Sequence, residues 1–312
     1  MSITSRHEIE MNSRRYEQHL ADLRSAYRPQ REWGEGKGIL LVIGHFLVGV
    51  AGGTWLMASF YGVHSGLVVA YVLAALGGIV HLMFLGRPSR AFKMIRHVRT
   101  SWISRGFLGL SVFLIGATLY LGTLFLFPPG ALAAVAWSGK ALAAIGTVII
   151  IGYMGFCYTA SRAIPFWHSS LHPVIYCSFA IRGGIASLLV LAAFGASVME
   201  EGLTQIWVIV TALICVLYAL ELHGAFSGGN TAARRSVNDL VAGRLALIFY
   251  GGTLIIGLIV PVLLLYGPAS PSPPVMAAIG LASAIGDFFM KLSTVRAGIY
   301  LPLHVPHKRH AH

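Results

Sequence analysis

Five histidines, His45, His81, His168, His172 and His223, stand inside or at the edge of long apolar runs. Ionisable side chains are expensive in hydrocarbon and mark functional sites by default. An imidazole exchanges its proton near neutral pH, so it can carry a proton or hydrogen-bond the carbonyl of a membrane quinone. His45 falls about two turns into its run, and His81 about one turn from the end of its own. His168 and His172 begin a run and His223 ends one. The plainer alternative is that histidines at the edge of a run face lipid headgroups. It applies more to His168, His172 and His223 than to the deeper pair. Two histidines on facing helices also suit a b-type haem, although nothing in their spacing demands one.

Four further groups are costly in the same way. Arg182 lies near the middle of one run and Asp287 near the middle of another, with Lys291 one turn beyond. Asp287 and Lys291 have the i, i+4 spacing of a helical ion pair, and Asp287 can instead meet Arg182 across a bundle. Glu221 lies near the end of the run that His223 closes. These four are candidate proton-path groups. The alternatives are a static buried pair for Arg182 and Asp287, and a helix cap for Glu221.

The elements that position these residues follow from composition. The 312 residues are 56% hydrophobic and 11% charged, with mean hydropathy +0.73. Soluble domains carry roughly 25% charged residues, so the bilayer is the natural solvent. Eight apolar runs have spanning length: 38–61, 65–86, 104–128, 132–158, 170–197, 203–223, 242–267 and 274–298. They are continuous rather than alternating, which excludes a barrel. The expectation is an all-α polytopic membrane protein. It has a tail at 1–37, an eight-helix domain at 38–303 and a second tail at 304–312. Pro128-Pro129-Gly130 and the segment from Gly267-Pro268 to Pro274 read as tight turns.

Of the 23 Lys and Arg, all but Lys140 and Arg182 fall on the side that the termini share. Positive residues stay inside, so both termini are expected in the cytoplasm. The net charge of +12 therefore reports topology. No RNA-recognition motif or basic–aromatic stripe points to nucleic acid. Trp33, Trp102 and Trp207 sit near expected boundaries and read as interface anchors. Segment 85–106, with Arg87, Arg90, Lys93, Arg96 and Arg99 among apolar residues, reads as a short amphipathic helix on the cytoplasmic surface. It suits anionic lipid or a partner protein. The first 37 residues lack an apolar signal core, so the first spanning helix is expected to direct insertion. Cys157, Cys177 and Cys215 fall in separate runs without cluster spacing, so no iron–sulfur cluster is expected in this chain.

Several segments together resemble the membrane anchors of DMSO reductase and polysulfide reductase, the NrfD/DmsC-like proteins. Leu85-Gly86-Arg87-Pro88, Ser89-Arg90-Ala91-Phe92 and Thr100 to Arg105 resemble that family's connection between the second and third helices. Tyr158 through Pro165-Phe166-Trp167-His168-Ser169-Ser170 is similar to its junction between the fourth and fifth. Leu220 to His223 and Arg296-Ala297-Gly298 with Tyr300 resemble its later helices. The resemblance spans residues 34 to about 303.

It implies a quinone-binding anchor (menaquinone or ubiquinone) that works with a ferredoxin-like subunit of [4Fe–4S] clusters and a molybdenum bis-pterin catalytic subunit. It implies quinone contacts from a first-helix histidine, matched by His45, and a fourth-helix tyrosine, matched by Tyr153 or Tyr158. A second branch of the family places a histidine nearer the Leu-Gly motif than His81 is. That branch also has a glutamate where this chain has Gly106. Trp167, His168 and the basic loop are the implied partner-docking residues. With the charge-derived orientation, the partners face the cytoplasm of a bacterial inner membrane. That layout resembles the sulfite dehydrogenase and phenylacetyl-CoA:acceptor oxidoreductase anchors. The competing classes are a secondary transporter or channel, for which no internal repeat is visible, and a haem b subunit.

Overall fold

The computed structural model describes residues 3–195, 200–267 and 272–302. The tail at 304–312 and the turn from Pro268 to Pro271 lie outside them. Helix α1 (Ile3–Arg24) precedes α2 (Gly38–Tyr61) and α3 (His64–Leu85). Next come α4 (Trp102–Leu126), α5 (Ala133–Thr159), α6 (His172–Ala192) and α7 (Glu200–Ser227). A short helix α8 (Thr231–Val241) is followed by a π-helical segment, Ile248–Ile259, that continues into α9 (Val260–Tyr266). Helix α10 (Pro273–Arg296) comes last. Among the described residues, eight helices are long and apolar enough to span a bilayer. In hydrocarbon every backbone group must be satisfied within its own segment, which is why runs this apolar become helices.

Three elements differ from expectation. The polar N-terminal tail contains α1. The basic loop forms a 3-10 helix, Pro88–His97, rather than an α-helix, with Pro at its start. Within and beside it Ala91 is buried, while the apolar Phe92 and Ile95 and the basic Arg87, Arg90, Lys93, Arg96 and Arg99 are all exposed. The seventh run starts later than expected. Residues 231–241 form α8, an amphipathic surface helix capped by the Asn230 side chain at 3.0 and 3.1 Å from the amides of Ala232 and Ala233.

The spans sort into an inner and an outer set. In the most apolar windows of α2, α6 and α10, 61%, 67% and 56% of residues are buried, and α5 follows at 50%. In α3, α4, α7 and the seventh span the figures are 22%, 28%, 22% and 22%. The inner helices approach closely because glycine removes the side chain at their crossings. A Cβ on Gly53 of α2 would lie 1.7 Å from the Ala180 carbonyl oxygen of α6. A Cβ on Gly286 of α10 would lie 2.0 Å from Gly257.

The two ends of the bundle are clasped together. Pro29 bridges Ile299, the Gln30 amide donates to Gly298 O at 2.7 Å, and Tyr300 donates back to Arg28 O at 2.9 Å. The first and last spans therefore share one face, the terminal face. Trp207 does not face outward as an interface anchor would. It is 1% exposed and its indole N–H donates to Ser283 at 3.0 Å, so it packs inside the bundle. Trp33 packs on Trp167 and Tyr158 with ring centroids 5.4 and 6.1 Å away. Trp102 stacks on Phe156 beneath the Arg105 guanidinium.

Candidate functional site

Near the terminal face, α2, α3, α4 and α5 enclose a cavity of about 460 Å³, within the roughly 300–1,000 Å³ range of small-molecule sites. Its wall is apolar, with Leu41, Leu82, Leu110 and Leu114 among its lining, and its polar groups are few. His45 from α2, His81 from α3 and Tyr153 from α5 converge there. The His45 ring lies 4.8 Å from the His81 ring and 5.9 Å from the Tyr153 ring. The two imidazoles touch, leaving no room for a haem macrocycle between them. Ile79 and Ile103 line the same cavity and are 54% and 36% exposed on the outside of the bundle, so α3 and α4 leave it a lateral side toward lipid.

The imidazoles have definite hydrogen-bonding states. His81 Nδ1 lies 2.7 Å from the Gly77 carbonyl, which can only accept, so Nδ1 carries a proton. In the neutral ring, Nε2 is then an acceptor, suited to a hydroxyl; once protonated it donates to a carbonyl. His81 Nε2 and His45 Nδ1 are both buried without a hydrogen-bond partner among the described residues. Such orphans are rare in folded proteins and call for a ligand or water. An apolar cavity bordered by His45 and Tyr153, with His81 Nε2 unpartnered, fits a quinone ring.

Two glycines shape this arrangement, and neither role is visible in the residue type. A Cβ on Gly44 would lie 2.6 Å from His81 Nδ1. A Cβ on Gly106 would lie 2.3 Å from the Tyr153 ring. Gly106 thus provides the space Tyr153 occupies, which explains why no acid stands there: a glutamate and this tyrosine position exclude each other.

Tyr158 does not join the cavity. It is buried in a second aromatic cluster, 4.9 Å from Trp167, 5.2 Å from Tyr176 and 6.0 Å from His172 by ring centroids. Of the two tyrosine matches, Tyr153 lines the cavity. In this second cluster His172 Nδ1 lies 3.3 Å from Glu221, which also accepts from Ser169 Oγ at 2.6 Å. Glu221 lines a separate pocket of about 340 Å³ at the terminal face, together with His168 and Asn230. His168 bonds the Thr159 carbonyl, and His223 is exposed.

Arg182 pairs with Asp287. The guanidinium also donates to Thr211 at 3.0 Å and to the Gly257 carbonyl. Gly257 belongs to the π-helical segment, where the wider turn displaces carbonyls from the usual ladder. Of the two partners open to Asp287, Lys291 on its own helix and Arg182 across the bundle, Arg182 makes the ion pair. Lys291 instead donates to the His45 carbonyl at 3.2 Å and lies 5.0 Å from the Tyr176 ring.

Of the expected docking residues, Arg87, Arg90, Lys93, Arg96, Arg99 and His168 are exposed on the terminal face. Trp167 is not: it is 1% exposed and donates to the Thr294 carbonyl at 3.1 Å, which makes it part of the core beneath that face. Among the described residues, no three His, Cys, Asp or Glu side chains gather as a metal site.

A family model described as polysulphide reductase, NrfD matches residues 37–302. The chain belongs to the NrfD family. Comparison with curated proteins gave no match. NrfD proteins are membrane subunits of quinone-interacting oxidoreductase complexes, and they typically partner with iron–sulfur and catalytic subunits. The match covers every spanning helix, and the cavity lies wholly within it except for Trp33 at its rim.

Proposed function

We propose that this NrfD-family chain is the quinone-reactive anchor of a molybdopterin iron–sulfur oxidoreductase in a bacterial inner membrane. His45, His81 and Tyr153 form its quinone site. A bound quinone supplies a two-electron, two-proton acceptor. The residues orient the ring and handle its protons: His81, held by Gly77, presents Nε2, and Tyr153 offers a phenol across the cavity. The apolar wall excludes bulk water. The lateral side between α3 and α4 admits the isoprenoid tail from lipid. Tyr158 supports the site from behind through Trp33, which lines the cavity and packs on Tyr158.

Electrons arrive from the ferredoxin-like subunit, docked over the exposed basic loop. The charge asymmetry favours a cytoplasmic position for the terminal face, so the catalytic subunit oxidises a cytoplasmic substrate and quinone is reduced. The counterparts in layout are the sulfite dehydrogenase and phenylacetyl-CoA:acceptor oxidoreductase anchors.

The observation that carries this reading is the apolar cavity on which His45, His81 and Tyr153 converge, with His81 Nε2 buried and unpartnered. The test is a fluorescence-quench titration of the purified complex with a quinone analogue. His45→Ala is expected to weaken binding about tenfold, as loss of one hydrogen bond does. Unchanged affinity in both His45→Ala and Tyr153→Phe would remove the site from this cavity.

A further inference from the structure

Reduction of a quinone by two electrons also takes two protons, and the apolar cavity holds no bulk source of them. His45 borders a second space on its far side. This void, about 20 Å³, is lined by His45, Tyr176, Asp287 and Lys291. A water molecule needs roughly 10–15 Å³ of such volume and two to four polar partners. Three atoms that ring or border the void are buried and have no hydrogen-bond partner among the described residues: His45 Nδ1, Tyr176 Oη and Asp287 Oδ2. Lys291 Nζ, with its one bond to the His45 carbonyl, supplies a fourth partner. Space and orphaned groups agree on one water.

From Tyr176 the polar groups continue to the terminal face. Tyr176 stacks on His172 with centroids 5.8 Å apart and planes at 23°. His172 Nδ1 is itself an orphan and stands 3.3 Å from Glu221. Glu221 is 4% exposed and borders the terminal-face pocket. Asp287, the acid at the void, is paired with Arg182 through its other oxygen.

Resting on the quinone reading above, we propose that this chain carries a dedicated proton path. It runs from the terminal-face pocket through Glu221, His172 and Tyr176 to a single water held against His45. Glu221 takes a proton from solvent and passes it to His172. Tyr176 and the water deliver it to His45 Nδ1, and His45 releases a proton from its other nitrogen into the cavity. Two passages, matched by two electrons from the partner's iron–sulfur clusters, complete one quinone reduction. Protons then enter from the same face as the electrons.

The test uses the intact complex with Glu221→Gln and Tyr176→Phe. Quinone-analogue affinity is measured by fluorescence quenching, and proton uptake on reduction is followed with a pH-indicator dye. Redox-difference infrared spectra report the Glu221 carboxyl directly. Expected are unchanged analogue affinity, proton uptake slowed roughly a hundredfold, recovery with azide as a small proton carrier, and loss of a carboxyl band in Glu221→Gln. If Glu221→Gln loses analogue binding through misfolding, Tyr176→Phe, which removes one hydroxyl, decides. Wild-type uptake rates in Tyr176→Phe and in any folded Glu221→Gln overturn the path and leave the quinone site standing. Unchanged analogue affinity in both His45→Ala and Tyr153→Phe overturns the path and the quinone site together.

Discussion

Gly106→Ala should disable the cavity without replacing any polar group in it. The added Cβ would lie 2.3, 2.4 and 2.8 Å from Tyr153 Cδ2, Cε2 and Cγ. Carbon atoms rest at about 3.5–4.0 Å, so the ring must retreat by roughly 1.2 Å or more. Both residues are buried on facing helices, and the Gly106 helix is itself tightly placed: a Cβ on Gly109, one turn on, would lie 2.4 Å from Ile149. The backbone therefore cannot back away, and Tyr153 moves instead. Overpacking of this kind costs about 1–3 kcal/mol, and loss of the phenol's hydrogen bond to a ligand costs about 1 kcal/mol. Analogue affinity should fall about tenfold. Turnover should fall further, roughly a hundredfold, because misplacement by about 1 Å near the reacting groups has that effect. Gly122→Ala is the control: it lies on the same helix with nothing within 4 Å of its added Cβ. The assay is analogue titration and quinone reduction by the purified complex, compared with Tyr153→Phe. Affinity within about twofold of wild type in Gly106→Ala, with Tyr153→Phe impaired, refutes the reasoning.

Gly44→Ala should act on His81 as Gly106→Ala acts on Tyr153, since its Cβ would meet the imidazole at 2.6 Å; analogue titration would read a loss of several-fold. Arg182→Met leaves Asp287 buried without its cation and should destabilise the chain by about 3–5 kcal/mol in detergent unfolding, whereas Arg182→Met with Asp287→Met should recover much of that loss. Gly53→Ala should prevent α2 from meeting α6, because its Cβ would lie 1.7 Å from a carbonyl oxygen; thermal melting in detergent should show a collapse in stability. Trp167→Phe, by removing the indole donor to Thr294, should cost about 1 kcal/mol of stability and leave partner copurification intact, as expected for a core residue.

What the sequence made legible follows the physics of each signal. Spanning helices are set by local composition, so apolar runs located them to within a few residues. The seventh start moved from 242 to Ile248, because residues 242–245 form a turn after the surface helix Thr231–Val241. The depth of a charged residue along its helix is also local, and His45, Arg182, Asp287 and Lys291 all fell in spanning helices as read. Rotation about the helix axis is not local. Tyr153 and Tyr158 lie on one helix five residues apart, so they point to different faces, and only packing shows that one lines the cavity while the other joins Trp33 and Trp167. Lys291 had an acid one turn away on its own helix, yet Arg182 reached that acid from α6 with a donor fork better suited to it.

Glycine shows the same limit from the other direction. Its commonest reading in a membrane helix is close packing, and that holds at Gly53 and Gly286. At Gly44 and Gly106 the neighbour is a single polar side chain, so the glycine determines where an imidazole or a phenol stands. Nothing in the residue type separates the two cases. The contrast between them is the information a one-dimensional pattern lacks: which side chain fills the space that a missing Cβ leaves. In this chain the filled spaces belong to His81 and Tyr153, so the chemistry of the cavity depends as much on two residues without side chains as on the groups that would touch a ligand.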